Sequence, residues 1–119
     1  MTENMCVQGT PLEHHPELGL WVKREDMSCP SGPNFSKTRG VWGHVSKRNE
    51  GTIGVLDTTH SQGGWAVARA CQILGRRCVL YHPVLKRERC LDRVPEGMDP
   101  LRPQQQAALD LGATVIGIQ

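Results

Sequence analysis

A chain of 119 residues with 38% hydrophobic and 22% charged side chains has the make-up of one small globular domain, not of a disordered tail. Fourteen basic against twelve acidic residues leave a formal charge of +2, too weak a surplus to argue for a nucleic-acid partner. No run of about 18 apolar residues is present to span a membrane, and residues 1–9 lack the basic start and apolar core of a secretory signal, so a cytoplasmic protein is expected.

In chain order, Thr10-Pro11-Leu12 is a non-helical entry, because the residue before proline is driven out of the helical region. Residues 20–23 (Leu-Trp-Val-Lys) read as a short strand, and Cys29-Pro30-Ser31-Gly32-Pro33 as loop. Asn34 is a candidate cap for a helix over 35–48, with Phe35, Val41, Trp42 and Val45 turned to a core. The run 52–56 is short and apolar, the pattern of a strand buried on both faces. A helix over 64–74 follows, apolar but for a narrow stripe continued by Arg69, Gln72 and Arg76, and Gly75 ends it. Residues 78–81 form the next strand. Residues 85–102 read as an irregular connection, in part a short helix, and a stretch of that length is usually functional or mobile. Pro103 opens a helix over 104–111 that stops at Gly112, and residues 114–118 make a last strand.

Strands alternating with helices predict an α/β fold, with a parallel sheet of about four strands joined by crossover helices in a single unit over 1–119. The five cysteines (Cys6, Cys29, Cys71, Cys78 and Cys90) are odd in number and contain no Cys-x-x-Cys pair. Cys71 and Cys78 lie in apolar runs, where a thiol behaves as a small buried hydrophobe. The last strand is apolar without a covering helix after it, which predicts an open edge available for association.

Ligands of parallel sheets bind where strands run into helices, and two such segments carry unusual chemistry. Lys37 and Arg39 fall in the first turn of the helix that follows Asn34, where a cation opposes the helix dipole. That field, with Arg39 pushing the same way, favours the neutral, nucleophilic amine that condensation with an aldehyde requires. The alternative is a solvated helix end with two ordinary cations. The second segment is Thr59-His60-Ser61-Gln62-Gly63-Gly64, whose small residues allow a carboxylate or phosphate close to backbone N–H groups. The alternative there is a tight turn that needs glycine for its torsions. The histidines show no metal-ligand spacing, so no metal is expected, and neither a dinucleotide fingerprint nor a Walker loop occurs.

Taken together, Thr10-Pro11-Leu12, Val22-Lys23-Arg24-Glu25-Asp26, Ser36-Lys37-Thr38-Arg39, the stretch from Thr59 to Ala68, and Leu111-Gly112-Ala113-Thr114-Val115 resemble the opening of the tryptophan-synthase-β-like, fold type II pyridoxal-phosphate enzymes. The Lys-Thr-Arg form is most similar to the aminocyclopropane-carboxylate deaminase and D-cysteine desulfhydrase branch. The resemblance implies pyridoxal 5'-phosphate as cofactor, held by Lys37 as an aldimine, with Lys37 also the proton-transfer base. It implies that Thr59, His60, Ser61, Gln62, Gly63 and Gly64 form the loop for the substrate carboxylate, and that Gln62, where many members have Asn, touches the cofactor.

The family's Gly-rich phosphate cup lies later than anything in these 119 residues. The expectation is therefore the N-terminal portion of a lyase or deaminase acting on a small amino acid, as a homo-oligomer or with a complementary C-terminal segment. Two other readings stand beside it: a non-catalytic α/β module that associates through its open sheet edge, and a nucleotide or anion binder at Ser61 to Gly64.

Overall fold

Residues 9–29, 31–58, 60–83 and 101–118 are described by the computed structural model of the chain. The first element is a hairpin. Strand β1 (Leu12–His15) pairs antiparallel with β2 (Leu20–Lys23), in a register that sets Leu12 against Lys23 and His15 against Leu20. A 3-10 turn at Pro16–Leu18 joins them and ends on Gly19 at φ 65°, a left-handed conformation that suits glycine. The expectation that residues 20–23 join the parallel sheet is corrected here. So short a connection closes a local antiparallel pair, whereas a parallel partner needs a long crossover. On the hairpin surface the His14 and Trp21 rings stack, centroids 4.2 Å apart.

A second 3-10 turn at Glu25–Met27 leads through the 28–36 loop to helix α1 (Lys37–Val45). That helix is shorter than the expected 35–48, and Ser36, not Asn34, stands at its cap position. Asn34 instead turns its amide to the carbonyls of Asp26 and Cys29, a local bond of the kind that competes with helix. Buried hydroxyls finish the loop: Ser28 Oγ donates to Phe35 O (3.2 Å) and Thr38 Oγ1 to Pro33 O (3.1 Å). The Gly32–Pro33 peptide is cis.

The main sheet holds three strands among the described residues, in the order β3 (Thr52–Leu56), β4 (Arg77–Pro83), β5 (Thr114–Ile118), all parallel. Helix α2 (Gly63–Leu74) connects β3 to β4, and α3 (Pro103–Asp110) precedes β5. The α/β reading and its helices therefore hold, with three parallel strands plus a separate hairpin in place of about four. The expected connection over 85–102 lies outside the described residues, save Leu101 and Arg102.

The core forms where α2 packs on β3 and β4, with α1 and α3 against α2. Val67, Ala68, Ala70 and Cys71 of α2 are buried in one cluster with Cys78 and Leu80 of β4. Cys71 and Cys78 are free, buried thiols, and the hydrogen bond between Cys78 and Cys71, followed by burial, pushes the Cys78 thiol up. The polar stripe of α2 serves as a clasp. Arg69 donates to Ser31 O (3.0 Å) and Gly32 O (3.3 Å), and Arg76, just past the helix, donates to Val45 O at the end of α1 (2.7 Å). Gly75 ends the helix at φ 70°, and Arg76 N–H returns to Cys71 O at 2.8 Å.

Burial along β3 alternates. The expectation of a strand covered on both faces is corrected among the described residues, because Leu56 is 72% exposed. The helices cover one face of the sheet. On the other, Leu56, Tyr81 and Ile116 stand in register across β3, β4 and β5, all exposed. Among the described residues β3 and β5 are the two edges of this sheet, and Ile118 of β5 is exposed too.

Candidate active site

The loop from the end of β3 to the start of α2 is built around a buried carboxylate. Asp57 follows β3 directly, is 3% exposed, and donates its backbone N–H to Tyr81 O at 2.9 Å, continuing the sheet ladder. Its side chain turns back under α2, where Gly64 N–H donates to Oδ1 at 3.3 Å. Glycine is required there. A Cβ on Gly64 would run into Leu80 and sit 2.7 Å from Asp57 Oδ2. One residue earlier, Gly63 N–H donates to Ser61 Oγ (2.9 Å), and Ser61 N–H donates to Thr58 O (3.3 Å). These bonds satisfy donors that a helix start otherwise leaves open, so much of the expected anion nest is filled by the chain's own oxygens.

From the far side, α3 meets the same loop. Gln105 is fully buried, and its Nε2 donates to Asp57 Oδ2 (3.0 Å) and Thr58 O (3.4 Å). Its Oε1 accepts Arg102 N–H at 3.2 Å, capping α3. Gln104 Nε2 reaches His60 O at 3.5 Å. Sequence reasoning missed Asp57 and Gln105. The signals were an acid at a strand's carboxyl end and a glutamine three residues past a helix entry marked by Pro103.

Of the expected site residues, His60, Ser61, Gln62, Gly63 and Gly64 stand together in this loop and first helical turn, while Thr59 lies outside the described residues. His60 is exposed, and Gln62 holds the N-cap position of α2. Among the described residues the buried Gln62 Oε1 has no hydrogen-bond partner. Lys37 is the first residue of α1, a separate helix packed against α2. It is exposed, and among the described residues no hydrogen bond or ion pair engages its amine or ties it to the loop.

The charges around the start of α1 are ordered. Arg39 Nε lies 3.1 Å from Glu25 Oε2, and Thr10 Oγ1 donates to Glu25 Oε1 at 2.8 Å. The Arg39 bond holds the Glu25 carboxyl below its ordinary range. Arg24 binds Asp26 (2.7 Å) and Glu13 (3.1 Å), and Lys23 Nζ donates to Thr10 O. The Arg39 guanidinium, expected to act on Lys37, is thus engaged with Glu25. The Thr10, Lys23, Arg24, Glu25 and Asp26 stretch works as a clasp between the hairpin and α1. A cavity of about 250 Å³, lined by His44, Arg48, Glu50 and Thr52 among others, shares no lining residue with the loop. Among the described residues no three His, Cys, Asp or Glu gather as a metal site, and no helix is long and apolar enough to cross a membrane.

A primary amine at the start of α1, and a glycine-paired turn whose Gln62 Oε1 is buried without a partner among the described residues, are the chemistry that these two helix starts present. A lysine amine condenses with an aldehyde, and the Gln62 oxygen is an acceptor open to a donor from a ligand. The family model described as pyridoxal-phosphate dependent enzyme matches residues 4–119, and the chain belongs to that family. Its cofactor is pyridoxal 5'-phosphate, and a lysine amine such as that of Lys37 has the chemistry to condense with its aldehyde.

One curated relative, the glycyl-dTMP PLP-dependent decarboxylase of Pseudomonas phage M6, is 47% identical over 117 residues, which are 96% of this chain and 40% of the relative. The processed form of threonine deaminase isoform 2 from Solanum lycopersicum superposes with a TM-score of 0.65 at 21% identity, over 95% of this chain and 29% of that one. A fungal L-serine ammonia-lyase from Rhizomucor miehei gives 0.58 at 20% identity, over 96% and 34%. The two structures share the fold. The chain thus spans well under half the length of each of these relatives.

Proposed function

We propose that the chain is the front part of a pyridoxal-phosphate-dependent lyase that cleaves a bond at Cα of an amino acid, and that the reaction it serves is decarboxylation. The carrying observation is the level of identity. The relative named as a decarboxylase shares 47% of its aligned residues with this chain, against 20–21% for the deaminase and the ammonia-lyase. The same likeness makes a glycyl group carried on a pyrimidine nucleotide the substrate to test first. Deamination of a free small amino acid is the second reading, favoured by Lys37-Thr38-Arg39 as it stands in the aminocyclopropane-carboxylate deaminase branch.

In this reading Lys37 holds the cofactor and returns a proton to Cα once the carboxylate has left, a role that needs an amine near neutrality and close to the reacting carbon. Gln62 contacts the cofactor, while His60, Ser61, Gly63 and Gly64, with Thr59, shape the space for the substrate. The cofactor supplies the electron sink. The exposed row of Leu56, Tyr81 and Ile116 supports assembly with a second copy or with a polypeptide that supplies the remaining family fold. A cytoplasmic location belongs to the same proposal, supported by the buried free thiols of Cys29, Cys71 and Cys78.

The test supplies the chain and pyridoxal phosphate with carboxyl-labelled glycyl-dTMP, and follows labelled carbon dioxide and ammonia together. Labelled carbon dioxide without ammonia supports decarboxylation. Ammonia from a free amino acid would replace it with the second reading. Neither product from cofactor-loaded protein would remove catalysis by this chain on its own.

A further inference from the structure

A buried carboxylate is costly unless its oxygens are bonded, and Asp57 is bonded in a particular way. One oxygen takes the N–H of Gly64 at the start of α2, and the other takes Gln105 Nε2 from the start of α3. Gln105 cannot turn its amide over. Its oxygen already accepts Arg102 N–H, and its nitrogen also faces Thr58 O. Every polar atom of this carboxamide therefore has a set direction, which fixes where Asp57 lies. Asp57 fixes Gly64, and a Cβ on Gly64 would strike both Asp57 and Leu80. Thr58 and residues 60–63 lie between these two anchors, with Gln62 among them, its side-chain oxygen without a partner among the described residues.

We infer that Asp57 and Gln105 are positioning residues of the candidate cofactor loop: their hydrogen bond joins the starts of α2 and α3 into one rigid frame and holds the Gln62 carboxamide toward the ligand. Neither residue touches the cofactor in this account. The inference rests on the reading of this loop as the cofactor's. It goes beyond that reading by naming two side chains behind the loop that set its shape, and by making α3 part of the site.

A swap of chemistry tests it. In Asp57→Asn, the amide nitrogen that replaces one oxygen either faces the Gln105 nitrogen, donor against donor, or turns to face Gly64 N–H. In Gln105→Glu, two carboxylates face each other. In the variant carrying both substitutions, the amide introduced at position 57 donates to the carboxylate introduced at position 105. Its oxygen still accepts from Gly64, so the link between positions 57 and 105 re-forms with the polarity reversed, while the 3.4 Å bond to Thr58 O is lost here as in Gln105→Glu. The full chain, labelled with nitrogen-15, is followed by amide exchange at Gly64 and by the side-chain amide signals of Gln62. It is then mixed with pyridoxal phosphate and reduced with borohydride to measure labelling of Lys37.

Each single variant should speed Gly64 exchange by about tenfold or more, as expected for losing a hydrogen bond to a charged group, and should lower labelling of Lys37. The double variant should recover both to within about threefold of the parent. A merely structural role predicts losses that follow the melting temperature, with no recovery in the swap at matched stability, and that result overturns the inference. If Asp57→Asn does not fold, Gln105→Met removes the same bond from the other side, and unchanged Gly64 exchange in it likewise overturns the inference. If exchange follows the swap but the parent chain takes no label at Lys37, the cofactor reading of the loop fails while the frame itself stands.

Discussion

Arg39 Nε stands 3.1 Å from Glu25 Oε2, and the two join the first turn of α1 to the segment that follows the hairpin. The stretch from Thr10 to Arg39 that resembles the family's opening is thus, for the most part, a set of bonds that hold α1 in place. Thr10 donates to Glu25, Lys23 bonds Thr10 from the hairpin, and Arg39 comes from the helix. Lys37 sits two residues before that anchor.

This clasp should weaken in acid. Arg39 holds the folded Glu25 carboxyl below the ordinary glutamate value, so its contribution is complete above the unfolded value of about 4.3 and is lost as pH falls through the lower folded value. Amide exchange in residues 12–23 should therefore rise below about pH 4, and Glu25→Gln should show the looser behaviour already at neutral pH. Exchange in the hairpin that ignores both changes would show that the pair is not the anchor.

The glycine pair should divide in its tolerance. Gly64→Ala drives a methyl group into Leu80 and Asp57 and should destabilise by about 1–3 kcal/mol, the usual range for overpacking. Gly63→Ala meets Ser61 Oγ at 3.1 Å, a hydroxyl that can rotate away, and should have the smaller effect. Thermal melts of the two variants give the order directly.

The two faces of the sheet should respond oppositely to truncation. Leu80 is completely buried beneath α2, and Leu80→Ala should cost about 2–5 kcal/mol. Leu56 is mostly exposed on the other face, so Leu56→Ser should leave the melting temperature nearly unchanged. If the open face carries association, the Leu56→Ser variant with Tyr81→Ser should also shift the protein toward monomer in sedimentation at several concentrations.

Most of the fold was legible because it was written locally. Gly75 and Gly112 ended their helices, Pro103 opened one, and residues 114–118 gave the last strand as observed. The hairpin was not legible. Glu13, His14 and His15 do not alternate as a half-buried strand should, and their partner strand was attributed to the parallel sheet. The apolar run over 52–56 signalled a strand but not how many of its faces are covered, since coverage is a property of the assembled layers. At the site, the glycine pair and its loop were visible in the sequence. Asp57 and Gln105 were not, because their bond joins residues 48 positions apart and neither makes a motif alone. Arg39 shows the same limit: its charge was plain, and its pairing with Glu25 was not.

The central claim is that the Lys37 amine is the one that takes the cofactor. The direct measurement is borohydride reduction of the chain with pyridoxal phosphate, followed by peptide mapping across Lys23, Lys37, Lys47 and Lys86. The account predicts a pyridoxyl adduct concentrated on Lys37, and Lys37→Ala should abolish it without raising the yield at the other three. Equal labelling of all four lysines, or an unchanged yield in Lys37→Ala, would contradict it.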